Sequence, residues 1–283
     1  MATAYERLLG TDFDGAPTDD PYEVIWEGED RPAHRDRVPG LTALVGDPAA
    51  TGGERLMALV ALVHWAEPAG YEAVVRAATT DPRAAFWYDW SIDRWFSVDR
   101  SYGLFCEAAV AGRELAEEKG TSALRTETLR ALVGLADREG FDNRLGDCLD
   151  ARDVRDCLPA IRAAVERGLA RMRAGERFRF DVETQLVGLA GAVTLVDEAP
   201  AVELLRRLLG DAPSDRALRH AAGPVSRCQG PDGRALAAWL WDAGDDYVRK
   251  VLGQRGPERG AFRPDVEDGG NRVCVRNVPS VDR

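Results

Sequence analysis

Apolar positions in this 283-residue chain recur with a helical spacing from residue 41 to residue 253. The clearest block covers residues 51–81, where the apolar spacing predicts one helix with a broad buried face and a second, shorter helix. The letters Glu-Pro-Ala-Gly at 67–70 separate the two helices, and Asp81-Pro82 ends the second because a residue before proline is displaced from the α region. Alternating segments rich in Val and Ile are scarce. The pattern therefore predicts a nearly all-α protein built from helical hairpins.

The hairpin pattern recurs along the chain. Residues 129–141 repeat the Leu, Ala, Val and Gly positions of residues 59–71, and the five letters at 186–190 are those at 132–136. A pair of amphipathic helices cannot bury its apolar face alone, so successive pairs stack around a shared core. We therefore expect the residues at the inward positions of successive repeats to be buried: Leu62, Val63, Leu132, Val133, Leu186 and Leu189. Asp181 and Ser214 stand where helix N-caps belong, and Pro231 suits a first helical turn.

In its hairpin period, its small residues and its Asp-Pro breaks, the stretch 41–253 resembles the HEAT-like helical-repeat superfamily. This resemblance implies a right-handed α-solenoid of divergent HEAT-like hairpins, and it implies neither a shared catalytic residue nor a cofactor. An irregular α-helical bundle is the alternative, because residues 83–120 depart from the repeat. Residues 1–40 are expected to form an acidic, mostly irregular segment with one extended stretch at 22–26. Residues 254–283, rich in turn-forming letters, are expected to form a flexible C-terminal tail.

The charge of the chain is unevenly distributed. The net charge is −11, and residues 11–31 hold eight acidic residues and one basic residue. Such acidity argues against general nucleic-acid binding, which requires the neutralisation of phosphates. Between residues 152 and 179 eight arginines face four acidic residues. Four of these arginines form either a solvated face or a ridge that faces an anion or a partner: Arg162, Arg167, Arg171 and Arg173.

The compartment is inferred from three further features of the sequence. No apolar run approaches the roughly 20 residues that a membrane-spanning helix needs. The first residues lack a basic stretch followed by an apolar one, so we expect no secretory signal. The five cysteines are scattered and contain no CxxC pair, which predicts free thiols in a reducing cytoplasm rather than a disulfide framework or a zinc site. We therefore expect a cytoplasmic protein without membrane association.

The most unusual local feature is a cluster of aromatic residues, since eight of the 21 aromatics fall within residues 86–105. On a helix, Trp87, Trp90 and Arg94 would share one face while Asp89 and Asp93 would share another. Aromatic and arginine side chains dominate the energetics of many protein interfaces. One interpretation is therefore a recognition surface, and the other is a large core plug where the repeat is interrupted. The candidate binding residues are Trp87, Asp89, Trp90, Asp93, Arg94 and Trp95.

Motifs that carry catalysis or bind metals are not found. Residues 12–23 superficially match a calcium loop, but Pro17 occupies its glycine position. HExxH, GxSxG and a phosphate loop ending in GK[ST] do not occur. His34, His64 and His220 are isolated, and His64 is expected to be a packed or capping histidine. The sequence therefore predicts neither a metal site nor a catalytic residue.

The function hypothesis from sequence is a non-enzymatic scaffold that binds another protein. One version is a bacterial immunity or antitoxin-like protein, whose acidic surface would mask a basic partner. The alternative is an enzyme that resembles the HEAT-like alkylpurine glycosylases, which act on modified bases with aromatics and an aspartate on a concave surface. Residues 87–94 hold the matching residue types. That family needs a basic groove, so the acidity of this chain favours the scaffold.

Overall fold

The structure is a computed structural model that describes residues 3–88, 90, 99–141, 145–210 and 212–253. Helices account for 72% of these residues, and no strand occurs among them, so the all-α prediction is confirmed. Two single 3-10 turns, Pro82–Ala84 and Val193–Leu195, accompany the α-helices. The α-helices of the described residues are α1 (Ala4–Leu8), α2 (Pro21–Asp30), α3 (His34–Gly46), α4 (Gly52–His64), α5 (Pro68–Thr79), α6 (Ser101–Ala111), α7 (Arg113–Glu118), α8 (Ser122–Val133), α9 (Leu145–Cys148), α10 (Ala151–Arg173), α11 (Val182–Ala192), α12 (Glu198–Leu209), α13 (Asp215–Ser226), α14 (Pro231–Ala243) and α15 (Asp246–Gly253).

The starts of these helices follow local sequence signals. Thr51 and Glu54 form a reciprocal capping box at α4, in which each side chain accepts from the other residue's backbone N–H. Asp181 and Ser214 cap α11 and α13 as predicted, and Pro231 occupies the first turn of α14 as predicted. A side-chain cap of this kind stabilises a helix by about 1 kcal/mol.

The helices pack in two series that alternate along the chain. In the first series each helix contacts the next in the order α4, α6, α9, α11, α13 and α15. In the second series the order is α5, α8, α10, α12 and α14. The sequence comparison had treated α8 as the equivalent of α4, but α8 packs between α5 and α10. An additional helix pair, α6 and α7, lies between α5 and α8 and places α8 in the other series.

The core runs through both series without a break. All six residues expected at inward positions are at most 1% exposed, so their predicted burial is confirmed. The largest buried side chains include Trp65, Tyr71, Phe105 and Phe141. Leu132 lies on α8, which belongs to the second series, so its position is not equivalent to that of Leu62 on α4.

Helices of the first series approach one another closely. A Cβ added at Gly146 of α9 would overlap the carbonyl of Gly188 in α11, and one added at Gly112, after α6, would overlap the carbonyl of His64 in α4. Only glycine permits these backbone approaches. No residue of α4, α6 or α11 is exposed, whereas the second-series helix α10 exposes nine residues. Helices α4, α6 and α11 of the first series are therefore more crowded than α10.

The N-terminal region is more regular than predicted. The extended stretch predicted at 22–26 is wrong, because these residues belong to α2, which Asp20 caps and Pro21 begins. Val24 and Ile25 are buried, and the indole N–H of Trp65 donates to the carbonyl of Ile25 at 2.9 Å. Helix α3 begins at 34, ahead of the predicted domain boundary at 41. The predicted tail, 254–283, lies outside the described residues, and the division into domains stays a prediction.

Candidate functional site

The aromatic segment divides between the core and the surface. Trp87 is 3% exposed, and its ring makes edge contacts with Phe86, Tyr102 and Phe105 at centroid distances of 4.9, 6.5 and 5.1 Å. The hydroxyl of Ser101 donates to the carbonyl of Trp87 at 3.2 Å. Trp87 is therefore part of the core, and its ring packs this segment against α6. Of the other candidate binding residues, Asp89, Asp93, Arg94 and Trp95 lie outside the described residues.

Trp90, only three residues further on, is 56% exposed. Its indole lies over the first turn of α4, where a Cβ added at Gly52 would overlap the ring. The backbone N–H of Trp90 donates to the carbonyl of Trp87 at 3.2 Å, which ties the exposed tryptophan to the buried one. Trp90 is thus packed on the amino end of α4 while most of its surface faces solvent.

An arginine–phenylalanine stack supports the same corner. The guanidinium of Arg55 lies 3.8 Å from the centre of the Phe86 ring, and its Nε donates to the carbonyl of Val45 at 2.8 Å. Such a cation–π contact contributes about 0.5–1 kcal/mol at a partly exposed position. We call Trp90, Phe86, Arg55 and the first turn of α4 the Trp90 surface.

Tyrosines and carboxylates border the Trp90 surface. Burial, followed by the negative charge of Glu54 in the first turn of α4, raises the pKa of Tyr5 to about 12. Burial, followed by the negative charge of Glu107 in α6, raises the pKa of Tyr22 to about 12, although Arg100 opposes that shift. Both phenols therefore stay neutral at physiological pH and remain hydrogen-bond donors. The sequence analysis missed Tyr5, Tyr22, Glu54 and Glu107 as neighbours, because four different helices bring them together.

A second exposed tryptophan lies at the other end of α4. Trp26 is 44% exposed and makes an edge contact with the imidazole of His64 at a centroid distance of 4.8 Å. His64 is buried, and its Nε2 lies 2.5 Å from the Oε1 of Glu29, so the prediction of a packed histidine is confirmed. At a rise of 1.5 Å per residue, Trp26 and Trp90 flank a helix about 18 Å long.

A cluster of ionic and polar groups near the carboxyl end of α4 holds several helices together. Lys119 donates to His34 Nε2 at 2.8 Å, to the carbonyl of Trp65 at 2.7 Å and to Glu67 at 2.5 Å, which uses all three of its N–H groups. The Nδ1 of His34 lies 2.9 Å from the carbonyl of Arg31, so Nδ1 carries the proton and Nε2 accepts from the ammonium. Burial, followed by the charge of Lys119, lowers the pKa of His34. This cluster joins the start of α3 to the α4–α5 turn and the end of α7.

A second buried cluster joins α8 to α10. The guanidinium of Arg125 donates to both oxygens of Asp153 at 2.9 and 3.1 Å, and also to the carbonyl of Ala109 at 2.5 Å. Arg113 reaches the same carboxylate at 2.6 Å. Each of these groups has partners within the fold, so the cluster serves as a structural tie.

The four arginines predicted to form a ridge on α10 fall into two groups, one paired with buried or nearby carboxylates and one exposed. Arg167 binds the buried carboxylate of Asp137 at 2.7 Å, and Arg171 binds both Asp137 and Glu176. Arg162 and Arg173 are exposed. Two of the four arginines are therefore committed to internal pairs.

Two shallow clefts lie away from the Trp90 surface, between α12 and α14. One has a volume of about 470 Å³ and is crossed by the ion pair between Arg206 and Asp232 at 3.3 Å. The other has a volume of about 300 Å³ and is bordered by Leu209 and the exposed Trp239. Both are open to solvent, and neither contains a buried pair of polar groups that faces inward.

Neither a metal site nor a membrane-spanning helix is found among the described residues. Within the described ranges, no group of three or more His, Cys, Asp and Glu residues is arranged to hold a metal ion. None of the described helices has both the length and the apolar character needed to span a bilayer. Comparison of the chain with protein-family models, with curated proteins and with solved structures found no match.

Proposed function

We propose that this chain is a non-enzymatic protein-binding scaffold that uses the Trp90 surface, together with the acidic residues of its N-terminal region, to hold a basic partner protein. The observation that carries the proposal is the placement of Trp90, which is 56% exposed on the amino end of α4. An immunity or antitoxin-like role, in which the partner is a basic toxin, is the specific version that we propose.

The packing of the helices supports an extended scaffold. Two alternating series of helices, each contacting mainly its neighbours, form the pattern that stacked helical hairpins produce. The first series is closely spaced at Gly112 and Gly146, and its helices α4, α6 and α11 expose no residue, whereas α10 of the second series exposes nine. Closer spacing on one side curves a stack toward that side. We therefore propose a right-handed α-solenoid with the first series on its concave face.

Trp90 has the properties of an interface anchor. Tryptophans at the centre of interfaces commonly contribute about 2 kcal/mol or more to binding. Trp90 is already ordered by Gly52 beneath it and by its hydrogen bond to Trp87, so little side-chain entropy would be lost when a partner covers it. Tyr22 nearby offers a neutral phenol that donates a hydrogen bond at physiological pH.

Charge favours a basic partner. The carboxylates of the N-terminal region lie on the surface of α2 and of the loop before it, and the exposed ones are Asp14, Asp19, Asp20, Glu23 and Asp30. An acidic surface attracts a basic protein over several ångströms and accelerates the encounter at low ionic strength. The buried ionic groups pair with one another inside the fold, which supports a scaffold rather than a reaction centre.

The test begins with affinity purification of partners from the native host, followed by measurement of the dissociation constant for a captured basic protein. We expect Trp90→Ala to weaken binding at least about 30-fold, which corresponds to the roughly 2 kcal/mol of an anchor residue. The melting temperature should change little, because Trp90 lies outside the core. Raising the salt concentration should slow association.

Trp239→Ala is the matched control, because Trp239 is also a partly exposed tryptophan but lies on α14. It should leave the dissociation constant unchanged. Equal loss of binding in the two variants, or loss of binding together with the melting transition in Trp90→Ala, would contradict the proposal. Capture of DNA that contains modified bases, in place of a protein, would favour the glycosylase alternative.

A further inference from the structure

Two cysteines that are far apart in the sequence meet between consecutive helices of the first series. The sulfur of Cys106 in α6 lies 3.4 Å from the sulfur of Cys148 in α9, across 42 residues of chain. Cys106 is buried, whereas Cys148 is half-buried at the end of its short helix. Cys148 is therefore the more exposed of the two.

We infer that Cys106 and Cys148 form a redox-responsive dithiol, which a peroxide oxidises to an intramolecular disulfide that joins α6 to α9. Disulfide sulfurs are bonded at about 2.05 Å, so the two sulfurs need to approach by roughly 1.4 Å. Helix α9 has only four residues, and its own backbone contact with α11 is made through Gly146. We expect a small shift of this short helix toward α6 to close the bond.

Hydrogen peroxide oxidises the two thiols in two steps. Cys148 loses its proton, its thiolate attacks one oxygen of hydrogen peroxide and the O–O bond breaks, which gives a sulfenic acid and a hydroxide that takes up the lost proton as water. The sulfur of Cys106 then attacks the sulfur of Cys148, the S–O bond breaks and a second water leaves. Two thiols and one peroxide therefore give one disulfide and two waters, with two electrons passing from sulfur to oxygen.

The surroundings of the two thiols favour this order of steps. The hydrogen bond with Cys148, together with burial, raises the pKa of Cys106 well above its ordinary value, so Cys106 stays protonated until its partner has been oxidised. Cys157 is also buried, and burial raises its pKa to about 12. Cys228 is buried just after the end of α13, where its thiol donates to the carbonyl of Pro224. Of the described cysteines, Cys148 is therefore the one that combines access with an adjacent thiol.

Trypsin digestion of the full chain allows a direct test, because each relevant cysteine lies on its own tryptic peptide. Cys106 falls on residues 101–113, Cys148 on 145–152 and Cys157 on 156–162. The protein, carrying Cys274→Ser to remove the thiol beyond the described residues, is reduced, desalted, treated with equimolar hydrogen peroxide and alkylated. We expect non-reducing mass spectrometry to show peptides 101–113 and 145–152 joined, with a loss of about 2 Da from the sum of their masses. Dithiothreitol should reverse the link.

Two variants distinguish this pair from its neighbours. Cys157→Ser should retain the link, and Cys148→Ser should lose it while Cys106 remains a free thiol. Circular dichroism of each variant checks that it has folded, and the result for the unmutated pair does not depend on either variant. The inference is overturned if peroxide converts Cys148 to a sulfinic acid without a link, or if Cys157 forms the main link. Neither outcome depends on Trp90, so this test and the binding test can fail separately.

Discussion

The middle of the molecule and its C-terminal hairpins both contain Arg–Asp ion pairs, but the aspartates are buried in the middle and lie at the surface in the hairpins. In the middle, the carboxylates of Asp137 and Asp153 are buried, and each is held by two arginines. Between α12 and α15, the pairs of Arg206 with Asp232 and of Arg219 with Asp245 lie at the surface. An exposed pair contributes roughly 0–1 kcal/mol to stability, whereas breaking a buried pair costs roughly 3–5 kcal/mol.

The reason for this difference lies in the regularity of the helices. The middle contains the short helices α7 and α9 and several irregular connections, which leave backbone carbonyls without helical partners. Long cationic side chains satisfy them: Arg125 donates to Ala109, Lys119 to Trp65, and Arg171 to Asp137. Between residues 198 and 253 the shortest described helix, α15, has eight residues, and local caps such as Ser214 complete the start of α13. Where the repeat is interrupted, cationic side chains therefore supply the hydrogen-bond donors that a continuing helix would have supplied.

The largest expected effect comes from breaking the buried pair. Asp153→Ala should lower the free energy of unfolding by about 3–5 kcal/mol, because Arg125 would then be buried without its carboxylate. Asp232→Ala is the control and should lower it by less than about 1 kcal/mol, since its ion pair is exposed. Denaturant unfolding followed by circular dichroism measures both. Equal losses for the two variants would show that the middle of the molecule does not depend on its buried charges.

Leucine substitutions should show that the apolar core, unlike the ion pairs, is uniform. Leu132 in α8 and Leu205 in α12 are both fully buried. Leu132→Ala and Leu205→Ala should each cost about 2–5 kcal/mol in the same unfolding assay, through lost apolar contact and the cavity left behind. An unchanged denaturation midpoint for Leu132→Ala would contradict the position of α8 between α5 and α10.

The smallest expected effect concerns pH. Burial and the neighbouring Lys119 lower the pKa of His34, and burial and Arg216 lower the pKa of His220. A lowered pKa means that the unfolded chain binds the proton more readily than the folded chain. The contribution of these histidines to stability is therefore fully present above about pH 6.5 and is lost as the pH decreases below it. His34→Asn should reduce this acid dependence more than His220→Asn, since His34 accepts from a buried ammonium. Urea unfolding at pH 7.5, 6.0 and 5.0 measures the slopes, and a steeper loss in His34→Asn than in the unmutated chain would refute the assignment.

The sequence by itself determined the local structure of this protein. The all-α content, the caps at Asp181 and Ser214 and the burial of the six inward residues follow from helical periodicity and from side chains within one turn of each other. The segment predicted as extended at 22–26 shows the limit of that approach. Its short apolar run fits a strand and a helix equally well, and Asp20-Pro21 was the cap signal that distinguishes them.

Only the tertiary structure decided how these elements meet. It placed α8 in the second series. The series to which a helix belongs depends on the number of helices that precede it, and the sequence between α5 and α8 departs from the repeat, so the helices α6 and α7 could not be counted from it. It buried Trp87 and exposed Trp90, because the ring of Trp87 packs against aromatic residues of α6 while the ring of Trp90 lies on the outside of the first turn of α4. It also joined Cys106 with Cys148 and Arg125 with Asp153, pairs whose separations along the chain follow no helical period. Local periodicity selects the face of a helix, and the neighbour of that face is selected by packing.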